Sequence, residues 1–468
     1  MSEANDQQYT SAVDSDKAAF FDNVVSSFTA DLNLETLYDY ARNLTVSLRE
    51  KLSDLESLSM LPSFIDRSPS GKEHGRVIAI DIGGSTMRVA IVKLDAHAAA
   101  ANRLTIEKQQ IWPILQPVKD LDGEAFFDWI ARNVKAFLGN QDANLEDTQP
   151  ADIPLGLVWS FPLDQTRLND GELKDMGKAF KVGLDLKGKS INACMSAAFR
   201  RSGLPLRLEA ILNDSVSVLL AMSYLDPTTE LSVVAGTGFN GAVRLPTSSL
   251  ARGKYGKRNP DWTELAQHVL VDGELCVTGQ RVFPKTAWDQ SISEMLPDPD
   301  ILGLEQLVGA FFVGEIIRQV IVAAVRTVSL FDGQLPEEIS QPFSWRLENA
   351  PLLLMDNDDT RSDIDTRIAT SFGLQSRVSP EDLHYLRETC KAVMARAAAY
   401  LAVAVHSMKA LQDSFGDRTP DRTVSQHCTV SCLGSVIEKY PGFMQLCQSY
   451  LDGLQATSAA SDSPWKGP

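Results

Sequence analysis

Twice along the chain an apolar β run stops at a glycine-rich turn and then resumes. Residues 77–80 lead into Asp81-Ile82-Gly83-Gly84-Ser85-Thr86, and residues 87–94 follow as a second strand. Far downstream, residues 231–235 end in Gly236-Thr237-Gly238, and residues 241–245 resume the strand. A hairpin closed by glycines pairs its flanks as antiparallel strands. Two such units predict a duplicated α/β architecture. The length agrees: single cores stop growing at roughly 250–300 residues, so 468 residues predict two lobes.

Around these units the pattern is helical. Leu34, Leu37, Ala41, Leu44, Leu48, Leu52 and Leu55 recur at three and four, one apolar face of a helix. Phe126, Ile130, Val134 and Phe137 do the same over 124–138, with Gly139 behind them. Residues 305–330 read as helix. Ser379 followed by Pro380 and two acids is a helix start for a long segment reaching about residue 412. Residues 155–161 and 429–436 read as strands, and 341–365, with its run of acids, as a solvated loop. The expected division is a disordered 1–15, N-terminal helices at 16–75 packing on the large lobe, a small α/β lobe at 76–212, a large α/β lobe at 213–456 and a disordered tail at 457–468.

Composition removes several function classes. The 61 acids outnumber the 44 bases, giving a net charge of −17, which argues against a nucleic-acid-binding surface. An anionic ligand remains compatible, because backbone amides and a metal ion can hold phosphate in an acidic protein. No run of 18 apolar residues predicts a membrane span. Residues 1–16 lack the basic and apolar regions of a leader, so the cytoplasm is the expected compartment, with the nucleus open to a regulatory protein. The six cysteines are scattered and read as free thiols of a reducing compartment.

Four constellations could carry chemistry. In the first turn, Gly83 and Gly84 let backbone amides approach phosphate oxygens, and Asp81 at the strand end could sit near Mg²⁺ through water. The Gly236-Thr237-Gly238 turn offers a second phosphate-accommodating loop. Asn213-Asp214-Ser215 opens a helix; Asp214 could take a proton from an alcohol during phosphoryl transfer, or the segment could serve only as a cap. Ser160 after a strand, and Lys178 beyond it, could hydrogen-bond a polyol. Each feature also has an ordinary structural reading when taken alone.

Together and in this order, the segments resemble the eukaryotic hexokinase family, which includes the glucokinases. The resemblance runs from about residue 34 to about residue 450. It implies two α/β lobes of the actin-like (ribonuclease H-like) sugar kinase fold, with the sugar in the cleft. It also implies transfer of the γ-phosphoryl of ATP, with Mg²⁺, to the 6-hydroxyl of glucose or a similar hexose. Asp81, Gly83, Gly84 and Arg88 match the family's first phosphate loop, with Ser85 and Thr86 where Thr and Asn are usual. Gly236, Thr237 and Gly238 match the second, and Gly434 and Ser435 a late segment on the nucleotide side. Ser160, Lys178, Asn213, Asp214, Asn240, Glu274 and Glu305 match the sugar contacts. Asp214 is then the base, Lys178 assists it, and Asp81 and Asp214 approach Mg²⁺ through water.

The departures define an alternative. Gly177 stands where Thr is usual, Ser217 and Val218 replace Gly-Thr, Leu433 replaces Asp, and Leu275-Cys276 replaces an aromatic-Gly pair. Asp272-Gly273-Glu274 stands where the family has Asn-x-Glu. The polar tail at 457–468 stands where the family has its Gly-Ser-Gly-rich loop and an Ala-rich helix. Sugar contacts are thus kept better than nucleotide contacts, which would suit a sugar-sensing regulator working through protein partners.

Overall fold

A computed structural model describes residues 2–139, 153–174, 176, 180–181, 186–256, 258–299, 301–345, 347, 368–370, 372–374, 378–416 and 428–460. Two five-stranded sheets organise them. The strands are β1 (Leu61–Pro62), β2 (Gly75–Ile82), β3 (Thr86–Leu94), β4 (Leu104–Pro113), β5 (Ile153–Trp159), β6 (Leu163–Arg167), β7 (Asp170–Leu173), β8 (Leu206–Leu212), β9 (Thr229–Ala235), β10 (Phe239–Pro246), β11 (His268–Asp272) and β12 (Thr429–Leu433). One sheet runs β4-β3-β2-β5-β8 and the other β1-β11-β10-β9-β12. In each, a three-strand antiparallel meander gains a parallel strand on its first member: β5 beside β2, and β12 beside β9. The two glycine turns occupy equivalent corners of this repeated plan.

Each sheet has its own core. Around the first, Ile78, Ile80, Val89, Leu155 and Leu157 pack on Phe126, Phe127, Ile130 and Val134 of the helix Gly123–Leu138. Asp122 caps that helix by accepting from the Ala125 amide, and Gly139 ends it at φ 63°. Around the second, Leu231, Val233 and Val271 pack with the helices Ala310–Val328 and Pro380–Asp413. Ser379 accepts from the Asp382 amide to start the latter helix, with Pro380 at its first position. Its Ala397–Ala399, Ala402 and Ala404 are fully buried, and small side chains let the helix Leu34–Lys51 lie close. Ser407 Oγ donates to the Ala41 carbonyl at 3.0 Å across that contact. Burying Leu37, Leu44 and Leu48 there contributes about 1.5–3 kcal/mol each.

Four expectations change in detail. Residues 1–15 were expected to be disordered, whereas one helix runs Ser2–Thr29; no Gly or Pro interrupts that stretch, and Phe21, Val24 and Phe28 anchor its second half in the core. Residues 305–330 are not one helix: Gly309, extended at φ −66° and ψ 135°, separates Leu304–Val308 from Ala310–Val328. The late strand ends at Leu433, because Gly434 turns the chain at φ 120°. The helix Phe443–Ala460 carries order into the start of the expected tail. Most of the 341–365 loop lies outside the described residues. Among the described residues no helix is long and apolar enough to cross a membrane, and all six cysteines are free.

Candidate active site

The three parallel strands of the first sheet stop at one edge. Ile82 pairs with Trp159, and Val158 with Leu212. That edge therefore carries the turn after β2, Ser160 after β5, and Asn213 and Asp214 after β8. The Ser160 amide donates to the Ile82 carbonyl at 3.2 Å, so the first two are stapled together. Across the hairpin, Arg88 Nη1 donates to Asp81 Oδ2 at 2.6 Å. Strand carboxyl ends are where open α/β sheets bind ligands.

The second sheet presents its own edge. Gly236, Thr237 and Gly238 follow β9, and Gly434 and Ser435 follow the parallel β12. A Cβ on Gly236 would lie 4.0 Å from both Gly434 Cα and Ser435 N, so the late segment meets the glycine turn. The amides of Ala310 and Phe311 donate to the carbonyls of Gly236 and Thr237 at 2.9 and 3.2 Å. Glu305 reaches the same turn: its Oε2 accepts from the Phe239 amide at 3.1 Å. A Cβ on Gly238 would come within 2.5 Å of that oxygen.

Asn213 and Asp214 join the two edges. They leave β8 of the first sheet and open the helix Asp214–Leu225. Val216 and Leu219 of that helix pack on Ala242 and Leu270 of the second sheet. Asn213 is indeed the N-cap, its Oδ1 accepting from the Ser215 amide and Ser215 Oγ at 2.8 Å each. The same oxygen accepts from Asn240 Nδ2 at 3.4 Å, so capping and site-building are one arrangement.

From Asn240 the network continues into the floor. Asn240 Nδ2 also donates to Asp272 Oδ1 at 2.9 Å, and Asn240 Oδ1 accepts from the Leu275 amide at 3.2 Å. Asp272 Oδ1 accepts from the Glu274 amide and faces Ser215 Oγ, both at 3.2 Å. Glu274 sits in the left-handed region at φ 41° and ψ 52°, a conformation that costs a non-glycine residue about 1–3 kcal/mol and persists where its surroundings fix it. Gly273 before it has no room for a Cβ, which would lie 2.7 Å from the Gly241 carbonyl. Cys276 Sγ donates to Glu274 Oε2 at 3.2 Å.

Negative charge is concentrated here. Burial pushes the Asp272 carboxyl well above its usual range, and repulsion from Glu274 adds to the shift. Burial raises Glu274 as well; contacts with Cys276 and Asp272 oppose the shift, while Asp214 and Glu305 reinforce it. Burial, then Glu274 and Glu305, push the Cys276 thiol up, so it stays a neutral donor.

The sequence-predicted residues therefore fall into two groups, one at an edge of each sheet. Asp81, Gly83, Gly84, Ser85, Thr86, Arg88 and Ser160 lie on the first sheet's edge. Gly236, Thr237, Gly238, Asn240, Glu274, Glu305, Gly434 and Ser435 lie on the second. Asn213 and Asp214 bridge them, and Lys178 lies outside the described residues.

Comparison with known proteins decides the family. Two Hexokinase family models match residues 22–224 and 230–464, nearly the whole chain. The chain belongs to the hexokinase family. Relatives of this hexokinase-family chain include N-acetylglucosamine kinase 1 of Candida albicans, 27% identical over 465 residues, covering 95% of this chain and 90% of that protein. Hexokinase-1 of Saccharomyces cerevisiae is 27% identical over 445 residues, covering 93% and 86%. Among solved structures, the hexokinase from Schistosoma mansoni complexed with glucose superposes with a TM-score of 0.77 at 22% identity, covering 94% of each chain. That likeness confirms the actin-like two-lobe fold.

Three members of this hydrogen-bonded cluster were not singled out from the sequence as site residues: Ser215, Asp272 and Cys276. Ser215 and Cys276 have common loop and cap readings. Asp272 had a usable signal, since it replaces the Asn of the family segment beside a retained Glu.

Proposed function

We infer that this hexokinase-family chain is an ATP-dependent sugar kinase that phosphorylates glucose or a similar hexose at its 6-hydroxyl. The observation that carries the reading is Asp214 at the joint of the two sheets, beside a floor built from Asn213, Asn240, Glu274 and Glu305. The family match favours a working kinase over the sugar-sensing regulator. Free cysteines agree with a cytoplasmic setting.

On this reading the floor orients the hexose through its hydroxyls, and Ser160 contributes from the opposite edge. Asp214 accepts the proton of the attacking hydroxyl; the dipole of its helix favours the anion until then. Lys178 holds sugar and charge. The turns at Gly83-Gly84 and Gly236–Gly238, with Gly434 and Ser435, cradle the triphosphate, and Arg88 faces its charge. Among the described residues no three His, Cys, Asp or Glu side chains gather as a metal cage. Mg²⁺ keeps most of its waters and takes one or two carboxylates plus phosphate oxygens. Asp81 and Asp214 would hold it through water, and the ion would supply neutralisation of charge on the transferring phosphoryl group. Closure of the lobes would exclude water, which otherwise competes with the sugar hydroxyl.

A coupled assay of the purified chain with D-glucose and MgATP tests this, run beside Asp214→Ala. The parent should form ADP and hexose 6-phosphate, and the variant should lose about a thousandfold in turnover. Equal turnover would remove Asp214 as the base, and no product from the parent would sink the kinase reading.

A further inference from the structure

The backbone around Glu274 is fixed from both sides before its carboxylate is considered. On the near side, the Gly273 carbonyl accepts from the Met60 amide at 3.2 Å and from Ser59 Oγ at 2.5 Å. The Gly273 amide donates to the Gly241 carbonyl at 2.8 Å. The Glu274 amide is taken by Asp272 Oδ1 and the Leu275 amide by Asn240 Oδ1, both at 3.2 Å. On the far side, the Cys276 carbonyl accepts from the Gly303 amide at 2.9 Å, and the Thr278 carbonyl from the Leu304 amide at 2.8 Å. A Cβ on Gly303 would lie 1.9 Å from the Thr278 carbonyl oxygen, so only glycine admits that approach. Leu304 opens the short helix that carries Glu305. The left-handed backbone of Glu274, at φ 41°, is held by these ties.

What they leave undetermined is where the carboxylate points. A glutamate side chain turns about several bonds, and the amides of residues 274 and 275 are already committed to Asp272 and Asn240. Cys276 does reach it, with Sγ donating to Glu274 Oε2 at 3.2 Å. Leu275, between the two, is fully buried, and its side chain fills the space over Gly241 and Gly273. Glu274 and Cys276 flank that anchor and are both half-buried, so their side chains meet at the open side of the floor. A thiol is a weak donor, but an ionised acceptor strengthens the bond it makes. The glycine that this position resembles has no side chain with which to do the same.

We propose that Cys276 is a positioning residue for the sugar: its thiol holds Oε2 of Glu274 and leaves Oε1 turned to a hexose hydroxyl. The thiol acts through Glu274, not on the reacting atoms. Its contribution is preorganisation, because a carboxylate already held in place has less freedom to lose when the sugar binds. The effect belongs to the hexose and not to the nucleotide, and a hydroxyl of similar size can supply it in place of the thiol.

This inference rests on the sugar-site reading above, and the measurements separate the two. The full chain is compared with Cys276→Ser and Cys276→Ala for D-glucose Kd, read by tryptophan fluorescence without nucleotide, and for the KM of MgATP. Cys276→Ala should weaken glucose about tenfold, near the lower end for losing a hydrogen bond to a charged group. Cys276→Ser keeps a donor and should stay within about threefold of the parent. The KM for MgATP and the denaturation midpoint should be unmoved in both. A second readout needs no sugar. The infrared S–H stretch of Cys276, isolated by subtracting the Cys276→Ser spectrum, should lie below that of an unbonded thiol and move up in Glu274→Gln. Parent-like glucose affinity in Cys276→Ala, a loss of about tenfold in Cys276→Ser, or an S–H stretch at the unbonded frequency would each overturn the positioning role and leave the sugar site standing. Where Cys276→Ala fails to fold, the Cys276→Ser affinity and the S–H stretch decide alone. No glucose binding by the parent would overturn the sugar-site reading, and this inference with it.

Discussion

The two glycine turns occupy equivalent corners of one repeated plan, yet they are held in opposite ways. The turn between β2 and β3 belongs mostly to itself. Gly83 donates to the Thr86 carbonyl at 3.0 Å, and its outside ties are single bonds from Ile114 to Ser85 and from Ser160 to Ile82. Its charged pair, Asp81 and Arg88, is open to solvent, with side chains 31% and 48% exposed. The turn between β9 and β10 is wedged. Gly236 donates to Gly238, the start of the helix Ala310–Val328 bonds to its carbonyls, Glu305 presses on Gly238, and Gly434 lies against Gly236. The fold thus supplies one pliable turn with replaceable partners and one rigid turn fixed by its neighbours. Binding can reorganise the first at little cost, because an exposed ion pair contributes only about 0–1 kcal/mol. The second contributes by already being in place.

Substituting Gly434 should expose the rigidity most strongly. Its φ is 120°, and a Cβ there would meet the Ala235 carbonyl and lie 2.8 Å from Gly236 N. Both obstacles are backbone and cannot rotate away. Gly434→Ala should destabilise the large lobe by about 3 kcal/mol, combining backbone strain with overpacking. Chemical denaturation followed by tryptophan fluorescence would measure it. A loss below about 1 kcal/mol would mean the wedged turn yields, and the contrast with the first turn would collapse.

Arg88→Met tests the pliable side. Stability should change by less than about 1 kcal/mol, since the pair with Asp81 is half-exposed. Turnover should fall about a hundredfold, the scale of losing one donor to charge developing in the transition state. Parallel melting curves and steady-state kinetics separate the two readouts. A large loss of stability with normal turnover would make the ion pair structural and reverse the assignment.

How much of this was legible in the chain depended on how local each cause is. The glycine turns, the Ser379–Pro380 helix start and the Gly139 helix stop are written within a few residues, and each appears where the sequence places it. Asn213 was legible both as a cap and as a site residue, and it is placed to serve as both. The break at Gly309 was hidden because its cause is the distant carbonyl of Gly236, which takes the Ala310 amide. Asp272 carried a local signal, an acid where the family segment has Asn, but its partners were hidden for the same reason: Ser215 and Asn240 lie 57 and 32 residues away. The helix over the first residues ran against composition, since its polar half has few apolar residues with which to signal itself.

The smallest effect should come from Gly83→Ala, and its smallness is informative. Gly83 lies outside the left-handed region, and a Cβ there would meet only the Thr86 carbonyl, at an ordinary 3.8 Å. The added methyl should change stability by no more than about 0.5 kcal/mol, like most substitutions away from special backbone or packing. Its effect should appear instead on the ligand side, because the Cβ stands where phosphate oxygens would approach the turn amides. The KM for MgATP should therefore rise several-fold, while the Kd for glucose measured without nucleotide stays put. The opposite split, a weaker glucose Kd with an unmoved KM for MgATP, would place the sugar rather than the triphosphate at the first turn. The two corners would then differ in the ligand they serve as well as in rigidity.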